Sequence, residues 1–371
     1  MKVLIISPYF FEPHRWMISA YKTALALSKN TQVIVVTTGR PYKEKMNKNL
    51  MIYRLHDFFL PDPVNFSFVP FLGWQLYSII KKEKPDCFLI NKHMFYTSLA
   101  IFWLKLLGKK VIVQTDTFPG IIWFPRNPLV NFIMKLYART IGLWVLLLAD
   151  KVVLLHQGLV ETAKKWKLKY EVIPTGVDFD LLNSAKPDFK IKHLKNELNI
   201  IYAGRLESIK GYEDYLQVAQ RMLKKYIHIN FYVAGNTIDK EEIVKKYQSK
   251  RLIFLGHRED IYSVLKRMDI FVLPSYSEGL PNALMESMAL GLACVSSGVG
   301  GVKYLIKDDV NGLTFSPGDQ EKMETQLEKL IKNKYLINQF GRRAKKLIFK
   351  NYNLDLGAKK LKKLLLAYNK K

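Results

Sequence analysis

Residues 275–301 carry the segment SYSEGLPNALMESMALGLACVSSGVGG, which directly follows a strongly apolar run at residues 270–273. The apolar run predicts a buried strand that ends at Pro274. A short loop and a helix over residues 281–290 are expected next, with Pro281 in the first helical turn, where its missing N–H costs nothing. The order strand, loop, helix predicts an α/β fold with a ligand site at the carboxyl end of a parallel strand.

Two carboxylates frame this segment. Glu278 precedes the predicted helix, and Glu286 follows eight positions later. At about 100° per residue, eight positions return to within about 80° of the start, so both side chains are expected on one side of the site. Backbone N–H groups of the loop and the first helical turn form a partly positive pocket that could bind a phosphate. These groups belong to Gly279, Leu280, Asn282 and Ala283. The alternative is that Glu278 caps the helix and Glu286 is a solvated helix residue.

Strands and helices alternate in two series, and each series predicts a parallel sheet with right-handed crossovers. The first series has strands near residues 3–7, 32–37, 87–91, 111–114 and 151–155, and helices near residues 18–28, 73–82, 96–107 and 128–149. The second begins at Asn199 and has strands near residues 229–234, 252–255, 270–273 and 294–296. A basic helix is predicted from about Asn351, with its apolar face formed by Leu356, Leu361, Leu364, Leu365 and Tyr368.

Length and charge limit the possibilities. The chain has 371 residues, which suits two domains, and a net charge of +26, of which +11 lies in residues 1–150. A surface this basic indicates contact with polyanions such as anionic lipid or nucleic acid. Cys87 and Cys294 lie in apolar surroundings and are expected to be buried, reduced thiols. We find no Cys/His spacing typical of a metal site.

Two apolar stretches bear on a membrane role. Residues 96–107 are too few to span a bilayer, and a buried helix that covers the sheet is expected there. Residues 128–149 are long enough but contain Lys135 and Arg139 at i, i+4 spacing. This pattern predicts an amphipathic helix that lies in a membrane interface, with core packing as the alternative.

Further charged residues follow predicted strands. Arg205 and Lys210, in AGRLESIKG, follow the strand that opens the second series, where they could neutralise a diphosphate without a metal. Asp116 follows another strand, where it could bind a hydroxyl group or form an Asx-turn into the Pro119-Gly120 turn. Asp178 and Asp180 form the one D-x-D triplet, within GVDFDLL.

These motifs together resemble glycosyltransferase family four. The resemblance rests on E-x₇-E after an apolar strand that ends in P-S, on GR-x₄-KG, and on the segments ADKVVLL, VIPTGVD, FLGHRED, GVGG and NGLTFSPGD. The chain departs from the family pattern at the first loop, where Trp16 and Met17 replace the usual Gly-Gly pair. Asp116 stands where the family commonly has a histidine that faces the donor sugar, and Tyr304 replaces an acidic residue.

The resemblance implies a GT-B fold, in which two Rossmann-like domains face a cleft. Residues 1–173 would bind the acceptor, residues 174–350 would bind the nucleotide sugar, and residues 351–371 would return to the first domain. It also implies a retaining, metal-independent hexosyltransferase of glycan biosynthesis, with no cofactor besides its nucleotide-sugar co-substrate. From the resemblance, Arg205 and Lys210 are expected to stabilise the departing diphosphate, and Asp116 to bind a hydroxyl group of the donor sugar. Residues 278–282 are expected to bind the donor, with Glu278 near the reacting carbon of the sugar, and Glu286 to bind the ribose hydroxyls. GVDFDLL resembles a structural strand-end motif of the family, which disfavours a metal at the D-x-D triplet.

The acceptor is expected to be a lipid or lipid-linked glycan at the cytoplasmic membrane face, with the protein attached peripherally. The basic segment at residues 128–149 and the aromatic loop at residues 58–74 favour an anionic membrane surface as the partner. Two alternatives are a nucleotide-sugar epimerase of the same architecture and a basic nucleic-acid-binding protein. Nucleic acid is disfavoured because the aromatic residues do not alternate with Lys or Arg as in a stacking platform.

Overall fold

The chain folds into two compact units. The computed structural model describes residues 1–10, 18–40, 42–60, 66–92, 96–118 and 128–369. One unit comprises Met1–Thr175 together with Leu354–Lys371, and the other comprises Gly176–Asn353. Each unit is a Rossmann-like α/β domain with a mainly parallel sheet covered by helices on both faces.

The first unit contains ten strands and seven of the helices that the structure describes. The strands are β1 (Lys2–Ile6), β2 (Gln32–Thr38), β3 (Tyr42–Asn47), β4 (Leu50–Leu55), β5 (Phe58–Leu60), β6 (Phe66–Phe68), β7 (Cys87–Asn91), β8 (Val111–Thr115), β9 (Lys151–Leu154) and β10 (Tyr170–Val172). The helices are α1 (Ile18–Ser28), α2 (Leu72–Glu83), α3 (Tyr96–Leu106), α4 (Pro128–Arg139), α5 (Ile141–Leu148), α6 (Val160–Lys165) and the terminal α15 (Leu354–Asn369). Eight strands form one sheet in the order β10-β9-β8-β7-β1-β2-β4-β3, and β5 pairs with β6.

The second unit contains six strands, all parallel, in the order β13-β12-β11-β14-β15-β16. The strands are β11 (Leu198–Ala203), β12 (Ile229–Ala234), β13 (Leu252–Gly256), β14 (Ile270–Leu273), β15 (Ala293–Ser297) and β16 (Leu313–Phe315). The helices are α7 (Phe179–Ser184), α8 (Tyr212–Lys225), α9 (Glu241–Tyr247), α10 (Ile261–Leu265), α11 (Asn282–Leu290), α12 (Val302–Leu305), α13 (Gln320–Ile331) and α14 (Lys334–Asn351).

Each sheet separates two apolar cores. Along β1, Leu4 and Ile6 pack into one core while Val3 and Ile5 pack into the core on the opposite face. Successive side chains of a strand point to opposite faces, so a strand covered on both faces is a continuous run of branched apolar residues. The same alternation along β11 supplies both cores of the second unit. This pattern explains why the buried parallel strands were predictable from sequence.

The hairpin of β3 and β4 was not predicted. Strand β3 has the sequence YKEKMN and forms the edge of the first sheet, antiparallel to β4. An edge strand covered on neither face keeps charged side chains, and such charges discourage pairing with another chain. Its composition therefore lacks the apolar signal that identified the central strands.

Two predicted segments differ in the structure. Residues 128–149 form two helices instead of one, because Thr140 leaves the helical region with φ −114° and ψ −99°. The expected loop at residues 58–74 is described as strands β5 and β6 and the start of α2, while residues 61–65 lie outside the described part. Helix α3 covers the sheet as expected, yet Leu99, Trp103 and Leu106 on its other side are exposed.

The terminal helix α15 belongs to the first unit. Its Leu361, Leu364 and Leu365 are buried beside α1, and Tyr368 packs against the same core. Leu356 was expected on this face but is 46 % exposed, because the helix turns that position away from the sheet. Both cysteines are buried as predicted, and burial raises the pKa of the Cys87 thiol to about 11.

Gly341 should be intolerant of a methyl group although it lies inside helix α14. A Cβ at Gly341 would lie 1.9 Å from the carbonyl oxygen of Gly291, which ends helix α11. Gly→Ala inside a helix ordinarily stabilises by up to about 1 kcal/mol. Here the two backbones must separate, so we expect Gly341→Ala to destabilise by about 1–3 kcal/mol in urea unfolding.

Gly298→Ala is the matched control for this prediction. Its Cβ would meet no atom closer than 3.9 Å, so the free energy of unfolding should change by less than about 0.5 kcal/mol. Equal stability of Gly341→Ala and the parent protein would contradict the close packing of α11 against α14.

Candidate functional site

Loops that follow three neighbouring strands of the second unit pack backbone against backbone. The loop after β14 contacts the loop after β15, where Gly301 N donates a hydrogen bond to Gly279 O at 2.7 Å. A Cβ at Gly300, whose φ is +50°, would lie 1.8 Å from Glu278 O. A Cβ at Gly211, after β11, would lie 2.1 Å from Pro274 O. Only glycine, which has no Cβ, permits the backbones to come this close. The three loops therefore lie together at the carboxyl ends of their strands, although they are distant in sequence.

Glu278 lies in one of these loops, the one that follows β14. It is 9 % exposed, and its Oε1 accepts hydrogen bonds from Lys210 Nζ at 2.8 Å and from Ser275 Oγ at 2.7 Å. A nearly buried carboxylate needs a compensating charge, and the ammonium group of Lys210 supplies it. The structure therefore brings together Lys210 and Glu278, which the sequence had indicated from separate motifs. Ser275 lies within the predicted segment, but its role as a partner was not anticipated.

Arg205 lies close in sequence but has a different environment. Its side chain is 70 % exposed, and its guanidinium donates to Glu207 Oε1 at 2.6 Å. The backbone at this position is fixed, since Tyr202 donates its hydroxyl to Arg205 O at 2.6 Å. Burial raises the pKa of Tyr202 well above its usual value, and the charge of Glu278 raises it further. The backbone of Arg205 is therefore fixed, while its guanidinium contacts a surface carboxylate and not the Glu278 that Lys210 contacts.

The start of helix α11 corrects one sequence prediction. The helix begins at Asn282, and Pro281 is its N-cap with φ −73° and ψ 112°, not a residue of the first turn. Glu278 therefore lies outside the helix, so the angular argument from helical periodicity does not apply to it. Leu280 is buried, and its side chain packs into the core beneath the loop. The burial of Leu280 therefore anchors the loop at residues 278–282 to the core of the second unit.

Glu286, on α11, has a partner that the sequence did not reveal. Tyr262, on α10, donates its hydroxyl to Glu286 Oε1 at 3.1 Å. Burial raises the pKa of Tyr262, and the negative charges of Glu286 and Asp178 add to the rise. Tyr262 therefore stays protonated and remains a hydrogen-bond donor. No local spacing signal could have linked these residues, because they come from different helices.

Asp116 lies in the first unit, directly after β8 as expected. Its Oδ1 is 3.0 Å from Lys92 Nζ, and Lys92 follows the neighbouring strand β7 with a left-handed φ of 62°. His156 Nδ1 accepts from Gly158 N, which assigns the ring proton to Nε2, and Nε2 lies 2.9 Å from Asp116 O. Burial lowers the pKa of His156, so the ring is neutral. Sequence reasoning missed both Lys92 and His156.

The D-x-D triplet has a structural role. Asp178 caps helix α7, where its Oδ1 accepts from Asp180 N at 3.0 Å and from Leu181 N at 3.1 Å. Among the described residues, no group of three or more His, Cys, Asp or Glu side chains is placed to hold a metal ion. The altered first loop, with Trp16 and Met17, and the Pro119-Gly120 turn lie outside the described residues.

Comparison with known families matches the two units separately. Residues 18–181 match the family described as Glycosyltransferase Family 4, and residues 184–347 match the family described as Glycosyl transferases group 1. The second match includes Arg205, Lys210, Glu278 and Glu286. The two matches together span most of the chain.

Individual relatives agree with these matches. An uncharacterized glycosyltransferase of Methanocaldococcus jannaschii is 25 % identical over 97 % of both chains. The UDP-Gal:alpha-D-GlcNAc-diphosphoundecaprenol alpha-1,3-galactosyltransferase of Escherichia coli is 27 % identical over 78 % of this chain and 77 % of its own. The fold is similar to that of sucrose-phosphate synthase from Thermosynechococcus elongatus, with a TM-score of 0.78, 15 % identity and 98 % of each chain covered. The chain therefore belongs to the glycosyltransferases of the family-four type, with the GT-B fold.

Proposed function

We propose that this glycosyltransferase moves a hexose from a nucleotide-diphosphate sugar to its acceptor with retention of configuration and without a metal ion. The observation that carries the proposal is the cluster of Lys210, Glu278 and Ser275 at the carboxyl edge of the second sheet. It combines a cation for a diphosphate with a carboxylate for sugar hydroxyls. The Escherichia coli relative, whose name gives UDP-Gal as its donor, supports a nucleotide sugar as the donor here.

The donor-binding roles follow from the chemistry of each group. Lys210 and Arg205 bind the diphosphate, and Glu278 binds the sugar near the reacting carbon. The backbone N–H groups offered to the diphosphate are those of Gly279, Leu280, Asn282 and Ala283. Arg205 can exchange Glu207 for a diphosphate at small cost, because an exposed ion pair contributes only about 0–1 kcal/mol. Glu286, oriented by Tyr262, binds the ribose hydroxyls.

The reaction proceeds by attack from the face that the diphosphate leaves. The bond between the anomeric carbon and the diphosphate oxygen breaks, the acceptor oxygen bonds to that carbon, and the acceptor proton passes to the departing diphosphate. Negative charge grows on the diphosphate in the transition state, and Arg205 and Lys210 stabilise it there. Asp116, held beside Lys92, binds a hydroxyl group of the sugar. No protein nucleophile and no metal are required for this path.

The acceptor is a lipid or lipid-linked glycan at the cytoplasmic face of a membrane, to which the enzyme attaches peripherally. The name of the Escherichia coli relative gives a diphosphoundecaprenol-linked sugar as its acceptor, which supports this class. The balance of +11 in residues 1–150 favours approach to anionic headgroups. A membrane-held acceptor would thereby be concentrated at the enzyme.

Removing either diphosphate-binding cation should lower the rate. Arg205→Ala and Lys210→Ala should each reduce kcat/KM about a hundredfold or more, since losing such a contact costs about 2–4 kcal/mol in the transition state. Transfer from radiolabelled nucleotide sugar to a membrane lipid extract measures this, with and without EDTA. EDTA should leave the parent rate unchanged.

Lys250→Ala, an exposed lysine of the same unit, is the control and should keep the parent rate. Arg205→Ala should also keep the parent melting temperature, because its guanidinium is paired only at the surface with Glu207. Full activity of both variants, or loss of activity in EDTA, would make this mechanism wrong.

Tyr262 should act on donor binding through Glu286. Tyr262→Phe keeps the ring but removes the hydrogen bond to Glu286, so KM for the nucleotide sugar should rise about fivefold with little change in kcat. In a Glu286→Gln background the same change should have a smaller effect, because the two residues act together. Initial rates over a range of donor concentrations measure both parameters.

Tyr335→Phe, on the exposed start of α14, is the matched control and should change neither parameter. Independent, additive effects of Tyr262→Phe and Glu286→Gln would show that the hydroxyl does not position the carboxylate.

A further inference from the structure

Four helices of the first unit form one exposed apolar layer. The ring of Phe102 on α3 lies 5.9 Å from that of Trp144 on α5, and Ser98 on α3 is hydrogen-bonded to Tyr137 on α4. The backbone of α2 touches α3, since a Cβ at Gly73 would lie 2.8 Å from the Trp103 ring. Helices α2, α3, α4 and α5 are therefore neighbours, and their outward side chains belong to one surface.

This surface, here named the α2–α5 surface, exposes large apolar side chains from every helix. Each member is between 42 % and 74 % exposed, and the members are Trp74, Tyr77, Leu99, Trp103, Leu106, Leu129, Phe132, Ile133, Leu136, Ile141, Trp144 and Leu147. Soluble monomers rarely expose contiguous apolar patches of more than a few hundred Å², and larger ones mark membrane or protein contacts. A concentration of this kind on one layer therefore indicates an apolar partner.

The helices of this surface bury a separate set of apolar side chains in the core, so the exposed side chains are additional to it. On α5, Val145 and Leu146 are buried in the core of the sheet, whereas Ile141, Trp144 and Leu147 point outward. The helix is thus apolar on all sides, which is typical of a helix with protein on one side and a second apolar phase on the other.

The basic residues of these helices favour a negatively charged partner. Helices α4 and α5 contain Lys135 and Arg139 and no acidic residue. Helix α2 carries Lys81 and Lys82 together with Glu83, which is ion-paired with Lys2, while Lys105 of α3 is ion-paired with Asp150. Bases beside apolar and aromatic side chains, above all tryptophan, suit an anionic bilayer, where tryptophan rings lie at the headgroup level. A second copy of the chain would bring the same bases against themselves, which disfavours a symmetric dimer.

We infer that the α2–α5 surface inserts into the outer hydrocarbon region of an anionic bilayer, and that apolar insertion, more than charge, holds the protein there. The inference deepens the proposed function, since it rests on an acceptor presented at a membrane. The helices insert to the depth typical of helices that lie parallel to the membrane surface. The basic residues add an electrostatic contribution to binding that weakens as the salt concentration rises.

The helices lie in the membrane plane. Pro128–Leu148 has the length and apolar composition of a spanning segment, yet it is broken at Thr140. Its inner face is part of the folded unit, where Met134, Val145 and Leu146 are buried. Spanning would pull these side chains away from their packing, whereas in-plane insertion leaves the unit intact.

Vesicle flotation with the full chain tests the inference. The probe is vesicles of phosphatidylcholine and phosphatidylglycerol, at about 0.1 M and about 1 M NaCl, because the higher salt screens charges beyond about 3 Å. The surface variant is Leu106→Gln/Ile141→Gln/Leu147→Gln, and a charge variant is Lys135→Glu/Arg139→Glu. The matched control is Ile227→Gln/Ile238→Gln/Tyr335→Gln, which changes two isoleucines and a tyrosine of the second unit that are more exposed than the three residues of the surface variant.

The parent protein and the control should float at both salt concentrations. The surface variant should partition at least about tenfold more weakly at both, and the charge variant should be weakened at low salt only. Melting temperatures of the surface variant and the control should match the parent, because every side chain changed in them is exposed. In the charge variant Arg139 is exposed and Lys135 is half-buried, so its melting temperature is measured alongside flotation.

Three outcomes would overturn the inference. Complete release of the parent protein at about 1 M NaCl would assign attachment to charge alone. Parent-like flotation of the surface variant would place the contact elsewhere, and failure of the parent to float at low salt would leave a protein as the partner. Flotation uses neither donor nor acceptor, so its failure is separable from a failure of the proposed transfer reaction.

Discussion

The candidate donor site depends on the close approach of backbones at the carboxyl edge of the second sheet. Glu278 O occupies the place that a Cβ at Gly300 would need, and Gly301 donates a hydrogen bond to Gly279 O. These contacts fix the loop that carries Glu278, and through it the ion pair with Lys210. A side chain in place of Gly300 would separate the loops and leave a nearly buried carboxylate without its cation, which is a large electrostatic penalty.

The two ion pairs of the candidate site differ in their exposure to solvent. Lys210 and Glu278 are largely withdrawn from water, so their interaction is little screened by salt. Arg205 and Glu207 are exposed, so their pair is weak and exchangeable. One cation is therefore part of the resting structure, while the other is available for a ligand at small cost. This division suits a diphosphate, which needs both a fixed anchor and a charge that responds as it departs.

The first unit combines a polar edge with an apolar outer layer. The edge holds Asp116 beside Lys92 and a neutral His156 at the ends of neighbouring strands. The outer layer is the α2–α5 surface, whose helices bury one side against the sheet and expose apolar side chains on the other. Both features arise from the parallel sheet, which places strand ends at one edge and crossover helices on its faces. The proposed membrane-held acceptor would give these two features of the first unit a shared role.

The sequence alone determined the class of the fold and the main motifs. Buried parallel strands are continuous apolar runs, so β7, β12 and β14 were located from composition. The family resemblance of GR-x₄-KG and E-x₇-E predicted that Lys210, Glu278 and Glu286 belong to one functional site. These features are local in the chain, which is why they were visible without coordinates.

Only the tertiary structure decided which side chains meet. Lys210 and Glu278 are 68 positions apart, and no spacing rule pairs them, nor Tyr262 with Glu286, nor Lys92 with Asp116. The polar strand β3 and the break at Thr140 were likewise missed, because edge position and packing override local pattern. Sequence periodicity predicts that a helix has an apolar face, but exposure depends on what packs against it. For α3 and α5, packing left apolar side chains on the outside, and the amino-acid pattern could not distinguish that surface from core.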